Sequence, residues 1–187
     1  MAKSLIDHLH GASKTAGELF ASEEKGEAVQ DLLPPPALEF AFQIRLEFGA
    51  GPRLRFDPAL ASFTRGFVSV LGGAVEGPRL SGRVAPQSGG DWPRLWDSGL
   101  IEFEAHYLLE ASDGTPIYVH NRGVAYAPPE TISAVERGEQ PDIAPYCRVT
   151  PRFEAPAGPH GWLMHKVFVG TGERRGDHSI FDYYVVT

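Results

Sequence analysis

The sequence predicts an all-β fold, a single antiparallel β-barrel behind a short helical appendage, and three observations carry that expectation. Apolar and polar residues alternate along one long segment and again in shorter runs through the rest of the chain. Glycine, proline, asparagine and aspartate punctuate these runs as turns do. Beyond residue 37 a single stretch carries helix start and stop signals. Closure into a barrel is favoured over an open sandwich because it leaves no long apolar edge strand exposed. A chain of 187 residues, 42% hydrophobic and 22% charged, suits one core rather than two.

The elements follow in order. Residues 1–37 mix charged residues with spaced apolar ones such as Leu5, Ile6, Leu9, Leu19 and Phe20, a spacing that permits one or two short amphipathic helices. Pro34, Pro35 and Pro36 close that appendage, since each fixes φ and lacks an N–H. From Leu38 the period changes. Leu38, Phe40, Phe42, Ile44, Leu46 and Phe48 alternate with polar residues, which predicts a strand with one apolar face. Further strands are expected at 66–71, 79–84, 100–109, 116–126, 146–153, 162–170 and 179–186. Asp113-Gly114 predicts a hairpin with φ above zero at both central positions. The helix is expected at 128–138, with Pro128 and Pro129 at its start and Gly138 at its end.

Charge narrows the function classes. A net charge of −7, from 24 acidic and 17 basic residues, opposes binding to nucleic acid, and Arg174-Arg175 is too short a basic run to reverse that. The lone Cys147 excludes an intramolecular disulfide and fits a reducing compartment. No apolar run approaches the roughly 20 residues of a membrane span, and no secretory leader is recognisable. The expected location is the cytoplasm, with no membrane partner.

Residues two apart on a strand share a face. Glu102, Glu104 and His106 therefore lie together on one strand, and Tyr118, His120 and Arg122 lie together on the next, across the Asp113-Gly114 turn. Facing a cavity, these groups would supply an acid, a base and an anion-binding guanidinium to one ligand; facing solvent, they would be an ordinary outer strand surface. Tyr146, Arg148, Thr150 and Arg152 form a third such face, suited either to an anionic ligand or to internal ion pairs. Asp91 and Trp92 follow Gly89-Gly90 in a predicted loop at the barrel mouth, where they would act on an aromatic ligand or cap the loop and close the barrel end. Lys166, between Met164 and Phe168 on a predicted strand face, would serve as a base if buried and would reach solvent along its stem if not. His8 and His10, or His106 and His120, lack the spacing of an established metal motif, so neither metal nor cofactor is expected.

Several phrases carry a family resemblance. They are Glu76-Gly77-Pro78-Arg79-Leu80-Ser81-Gly82, Gly89-Gly90-Asp91-Trp92, Asp113-Gly114, Ile117-Tyr118-Val119, Asn121-Arg122-Gly123, Thr150-Pro151-Arg152-Phe153-Glu154, Trp162-Leu163 and Phe168-Val169-Gly170-Thr171-Gly172. Together they resemble the domain-of-unknown-function 3237 family, also called uncharacterised protein family 0311, over residues 38–187. The chain departs from that pattern at Glu104-Ala105-His106-Tyr107 and at Trp162-Leu163-Met164-His165. The resemblance implies a small barrel similar to allene oxide cyclase-like or lipocalin-like barrels, assembled as a homo-oligomer. It also favours the barrel interior for the face that carries Tyr118 and Arg122.

Some members of that family are similar to lyases that remove the side-chain carbon of lignin-derived phenylcoumarans as formaldehyde or carbon dioxide. The implied activity is thus a cofactor-independent carbon–carbon lyase on a small aromatic substrate. Asp91 or His106 would protonate the departing ring oxygen, and Glu104 or Lys166 would take the side-chain hydroxyl proton. Tyr118, Arg122, Arg148 and Thr150 would hold the phenolate, with Trp92 and Trp162 stacking on its rings. A barrel that binds without turnover, and an isomerase or cyclase of a phenolic or polyketide-like substrate, are the alternatives.

Overall fold

A computed structural model describes residues 32–49, 54–137, 139, 145–175 and 177–187. The predicted helices of the first segment lie outside the described residues. Residues 36–187 form one compact unit.

Among the described residues that unit contains eleven strands: β1 (Leu38–Phe48), β2 (Leu54–Phe56), β3 (Thr64–Glu76), β4 (Gly82–Val84), β5 (Gly89–Asp91), β6 (Arg94–Leu95), β7 (Leu100–Ala111), β8 (Pro116–Tyr126), β9 (Tyr146–Glu154), β10 (Phe168–Arg175) and β11 (His178–Val186). All pairings are antiparallel. The order runs β1-β11-β10-β9-β8-β7-β4-β3, and a β1–β3 pairing closes the ring. Seven long strands make seven staves. The short β4, β5 and β6, each paired with both β3 and β7, make a broken eighth. The fold is therefore the closed antiparallel barrel that the alternation predicts, and closure leaves the long strands without a free edge.

One end of the barrel is packed solid. Phe42, Leu109, Ile117, Val119, Phe153, Phe168 and Val185 fill it, and Leu163 of a 3-10 helix at Gly161–His165 joins them. Phe42, Phe153, Phe168 and Tyr183 meet there ring to ring at 5.0–6.2 Å. The other end is open, because small residues replace large ones along the staves: Ala105, Gly123, Ala125 and Gly172.

The structure corrects several local expectations. The apolar face of β1 is interrupted by a bulge between Phe40 and Phe42, which turns Ala41 inward and leaves Leu38 and Phe40 exposed. Residues 162–170 are not one strand. The 3-10 helix occupies the first half, and β10 begins at Phe168. Residues 79–81 are not strand, so β4 is only Gly82–Val84. The Asp113-Gly114 hairpin is present, but φ is positive at Gly114 alone (+84°). The Gly114 N–H donates to the Ala111 carbonyl, and the Thr115 N–H donates to the Asp113 carboxylate. This is a type I turn followed by a left-handed glycine, the three-residue alternative to the two-residue turn. The helix α1 spans Pro129–Glu136, and Gly138 lies outside the described residues.

Gly89 shows what holds the broken stave in place. A Cβ on it would stand 1.7 Å from the His106 carbonyl oxygen, a backbone atom that cannot swing aside. Gly89→Ala is expected to push β5 away from β7 and to cost about 3 kcal/mol, read as a lower urea midpoint. A variant within 0.5 kcal/mol of the parent would mean that β5 does not approach β7 this closely.

Candidate active site in the barrel lumen

Strand alternation decides which side chains enter the open end. On β7 the inward residues are Phe103, Ala105 and Tyr107, and on β8 they include Asn121. Register places Asp91 of β5 and Asn121 of β8 directly opposite Ala105, one on each side. The three form a row across adjacent strands, and the small Ala105 methyl leaves room above it. Asp91 and Asn121, two strand spacings apart, are separated by about 10 Å. A small molecule of one or two rings fits between them.

The cavity over this row measures about 1340 Å³ and opens at the end where Phe48, Leu54, Tyr126 and Tyr146 stand. Its wall is mainly apolar, with Val70, Phe103, Ala105 and Phe181 deep inside. Charged residues including Glu139, Arg148, Glu173 and Asp182 also border it, so the cavity joins an apolar interior to a charged border, with Asp91 and Asn121 as the polar groups of the row described above.

One polar group of the row is without a protein partner. Asn121 is 0% exposed, yet neither its Oδ1 nor its Nδ2 makes a hydrogen bond. Such a group costs about 1–3 kcal/mol unless something meets it. The fully buried phenols of Tyr107 and Tyr183 interact with each other and are not among the residues that line the cavity. Burial drives both phenols well above their ordinary range, so they stay protonated and can donate.

Asp91 is the carboxyl of the row. Burial raises it from an ordinary value of 3.8 to about 6, against the lowering effect of the Glu104 and Trp92 main-chain N–H groups. The Glu104 N–H donates to Asp91 Oδ1 at 3.1 Å. This bond and the Trp92 main-chain N–H hold the carboxyl in place. Cys147 is nearby; burial pushes its thiol up to about 11, so it is a neutral wall group rather than a nucleophile.

The remaining residues singled out from the sequence lie elsewhere. Glu104, His106, Tyr118, His120 and Arg122 face outward from β7 and β8, because the alternate residues Ala105, Tyr107, Val119 and Asn121 take the interior. The interior orientation favoured for that face does not hold. Trp92 is on the same outer side, edge-on to His106 at 5.9 Å. Outside the wall, His120 Nε2 is 2.8 Å and His106 Nε2 3.9 Å from Glu104 Oε1, the imidazoles stack at 4.2 Å, and His106 Nδ1 is hydrogen-bonded to the Tyr118 hydroxyl. The His120 hydrogen bond lowers the Glu104 carboxyl, and burial lowers the His106 imidazole.

Arg148 and Thr150 are exposed on the outer face of β9, where the Arg148 guanidinium covers Tyr146 at 4.7 Å and donates to the Cys147 carbonyl. Trp162 belongs to the closed end, between Arg79 at 4.2 Å and Phe168 at 5.7 Å. Lys166 is exposed after the 3-10 helix, so the buried strand lysine is not present. Of the site residues predicted from the sequence, Asp91 lines the cavity from inside the barrel and Arg148 borders it from the exposed face of β9. The structure adds Asn121. The signal for Asn121 is phase: it lies within a strand legible in the sequence, one position away from the face that carries His120 and Arg122.

Known proteins agree with this architecture. The pattern of the family described as protein of unknown function (DUF3237) matches residues 36–186. A UPF0311 protein of Rhodopseudomonas palustris is 38% identical over 123 residues, 65% of this chain and 80% of its own. The crystal structure of a beta-barrel like protein from Acinetobacter baumannii superposes with a TM-score of 0.72 at 29% identity, over 84% of this chain and 100% of that one. A hydroalkoxylation enzyme of Penicillium herquei is 27% identical over 152 residues, 81% of this chain and 85% of its own, so a distant relative is an enzyme. Among the described residues no helix is long and apolar enough to cross a membrane. The match across nearly the whole barrel means that this chain belongs to the DUF3237 family.

Proposed function

We propose that the lumen is the active site of a cofactor-independent proton-transfer enzyme that makes or opens a cyclic ether in a small phenolic molecule. The observation that carries this reading is the row Asp91, Ala105, Asn121: a buried carboxyl and an unpartnered amide on either side of an apolar floor. The name of the Penicillium relative, a hydroalkoxylation enzyme, supports the reaction type.

In the ring-closing direction the protonated Asp91 gives its proton to one alkene carbon. A substrate hydroxyl oxygen bonds to the other carbon, and the hydroxyl proton returns to the Asp91 carboxylate. One C–H and one C–O bond form, one O–H and one C=C π bond are lost, and nothing is oxidised or reduced. A carboxyl near pH 6 suits both halves of that exchange. Asn121 orients the substrate oxygen, and the apolar wall excludes water that would intercept a cation.

The one-carbon lyase implied by the family resemblance would share the ether-cleaving step but needs a second base for the side-chain hydroxyl. Glu104 is outside the wall and Lys166 is exposed on a loop, so neither reaches the lumen. The other carboxylates that border the cavity, Glu139, Glu173 and Asp182, are held by Arg137, Arg175 and Gln43, so ring closure or opening, which asks for only the Asp91 carboxyl, is the better fit. The test is to incubate chelator-treated protein with ortho-prenylated phenols and with phenylcoumarans in deuterated water. The expected result is a cyclic ether gaining one deuterium on carbon, with no formaldehyde or carbon dioxide. Release of either gas-phase carbon would favour the lyase, and tight binding with no product would make the lumen a carrier site.

A further inference from the structure

We propose that Glu104, His106 and His120 form a binding site for one divalent transition-metal ion, with a zinc-like ligand preference, on the outer face of β7 and β8. This site is separate from the lumen, and Glu104 meets Asp91 only through its main-chain N–H.

The donor set is the first argument. Two imidazoles and one carboxylate are a common way to hold zinc with a position left for solvent. Here the three ligand atoms lie within 4.8 Å of one another. Glu104 and His106 are two apart on β7, and His120 is directly opposite His106 on β8, so the rigid ladder supplies the spacing. A tetrahedral ion with bonds near 2.0–2.1 Å wants its ligands about 3.3 Å apart. The observed 2.8 Å from Glu104 to His120 and 3.9 Å from Glu104 to His106 bracket that value. Side-chain rotations of about half an ångström bring both to it.

The second argument is orientation. His106 Nδ1 is engaged by the Tyr118 hydroxyl and Nε2 is the ring nitrogen turned toward Glu104; with Nδ1 as the donor, Nε2 is free to bind a metal, as an outer hydrogen bond arranges for a metal-bound histidine. The two rings stack nearly parallel, 16° apart, so their in-plane lone pairs run side by side and one ring must tilt for both to bind a single ion. The side chains are 26–41% exposed, so an ion can enter without opening the barrel. The opposing feature is Arg122, which sits opposite Glu104 in register and shares its field. A cation entering the site must displace that interaction.

The test titrates the chelator-stripped full chain with zinc chloride by calorimetry and with cobalt(II) by absorption. One ion per chain is expected, with cobalt bands of low coordination number. His120→Gln and Glu104→Gln should each weaken binding by at least about tenfold, and Arg122→Gln should tighten it by removing a competing charge. A His8→Gln/His10→Gln variant should bind as the parent does. The proposal is overturned if neither metal binds, which leaves the trio as a Glu–His ion pair. It is equally overturned if binding survives His120→Gln and Glu104→Gln, or disappears with His8 and His10. Circular dichroism confirms that each variant is folded, as the partial exposure of Glu104, His120 and Arg122 predicts.

Discussion

Asp91→Asn is expected to lower turnover by about 10²- to 10⁴-fold while making the protein more stable at pH 8. The two effects have one cause. Asp91 titrates near 3.8 in the unfolded chain and near 6 when folded, chiefly because burial penalises the carboxylate. The groups that face it are Glu104, whose charge adds to the penalty, the neutral phenol of Tyr107, and the Cys147 thiol. Below pH 3.8 both states hold the proton and Asp91 costs nothing. As pH rises from 3.8 to 6 the unfolded chain releases its proton while the folded chain keeps it, so stability falls. Above 6 the loss is complete, at about 3 kcal/mol. Asn cannot ionise, and its Oδ1 still accepts the Glu104 N–H. The variant should therefore gain up to about 3 kcal/mol at pH 8 and little at pH 4. Urea unfolding at both values, in chelator so that no ion at Glu104 contributes, gives the comparison. Destabilisation at pH 8 would assign Asp91 a structural role through its main-chain bonds. For turnover of the parent protein, an acid role predicts a rate that declines as pH rises through about 6.

That residue also marks how far the sequence is readable. The bounds of β8, Pro116–Tyr126, coincide with the expected strand, because turn residues flank a clean alternation. The hairpin at Asp113-Gly114 is legible for the same reason. What pattern alone cannot show is which face of β7 and β8 enters the barrel. Both phases carry polar groups: Glu104, His106 and His120 on one, Tyr107 and Asn121 on the other. The outward phase holds more charge and draws the eye toward chemistry, whereas the inward phase mixes Ala105 and Val119 with its two polar residues and reads as core. Short strands are illegible for a different reason. Gly89-Gly90-Asp91 has no alternation to detect, and tertiary pairing with β3 and β7 makes it strand. Lys166 fails through local geometry: Pro159-His160-Gly161 allows the tight turn that converts an apparently alternating run into a 3-10 helix.

The Asn121→Leu variant is expected to be more stable than the parent and to lose its ligand. Asn121 is fully buried with both amide atoms unpaired, so the folded protein carries a desolvation cost of about 1–3 kcal/mol that a leucine of similar shape does not. Nothing in the barrel ladder depends on the side chain, since β8 pairs through its backbone. Placing such a group at the lumen floor is favourable only when a ligand meets it, and affinity for the phenolic substrate should fall by more than about tenfold in the variant. Thermal unfolding with and without substrate separates the contributions: the free variant should melt higher than the free parent, and the substrate-induced rise should vanish. A variant that melts lower would show that the amide is satisfied within the fold and that Asn121 supports structure. Gains in stability at both Asp91 and Asn121, each with loss of activity, would identify the row across β5, β7 and β8 as polar groups kept at the expense of the fold for the sake of a bound molecule.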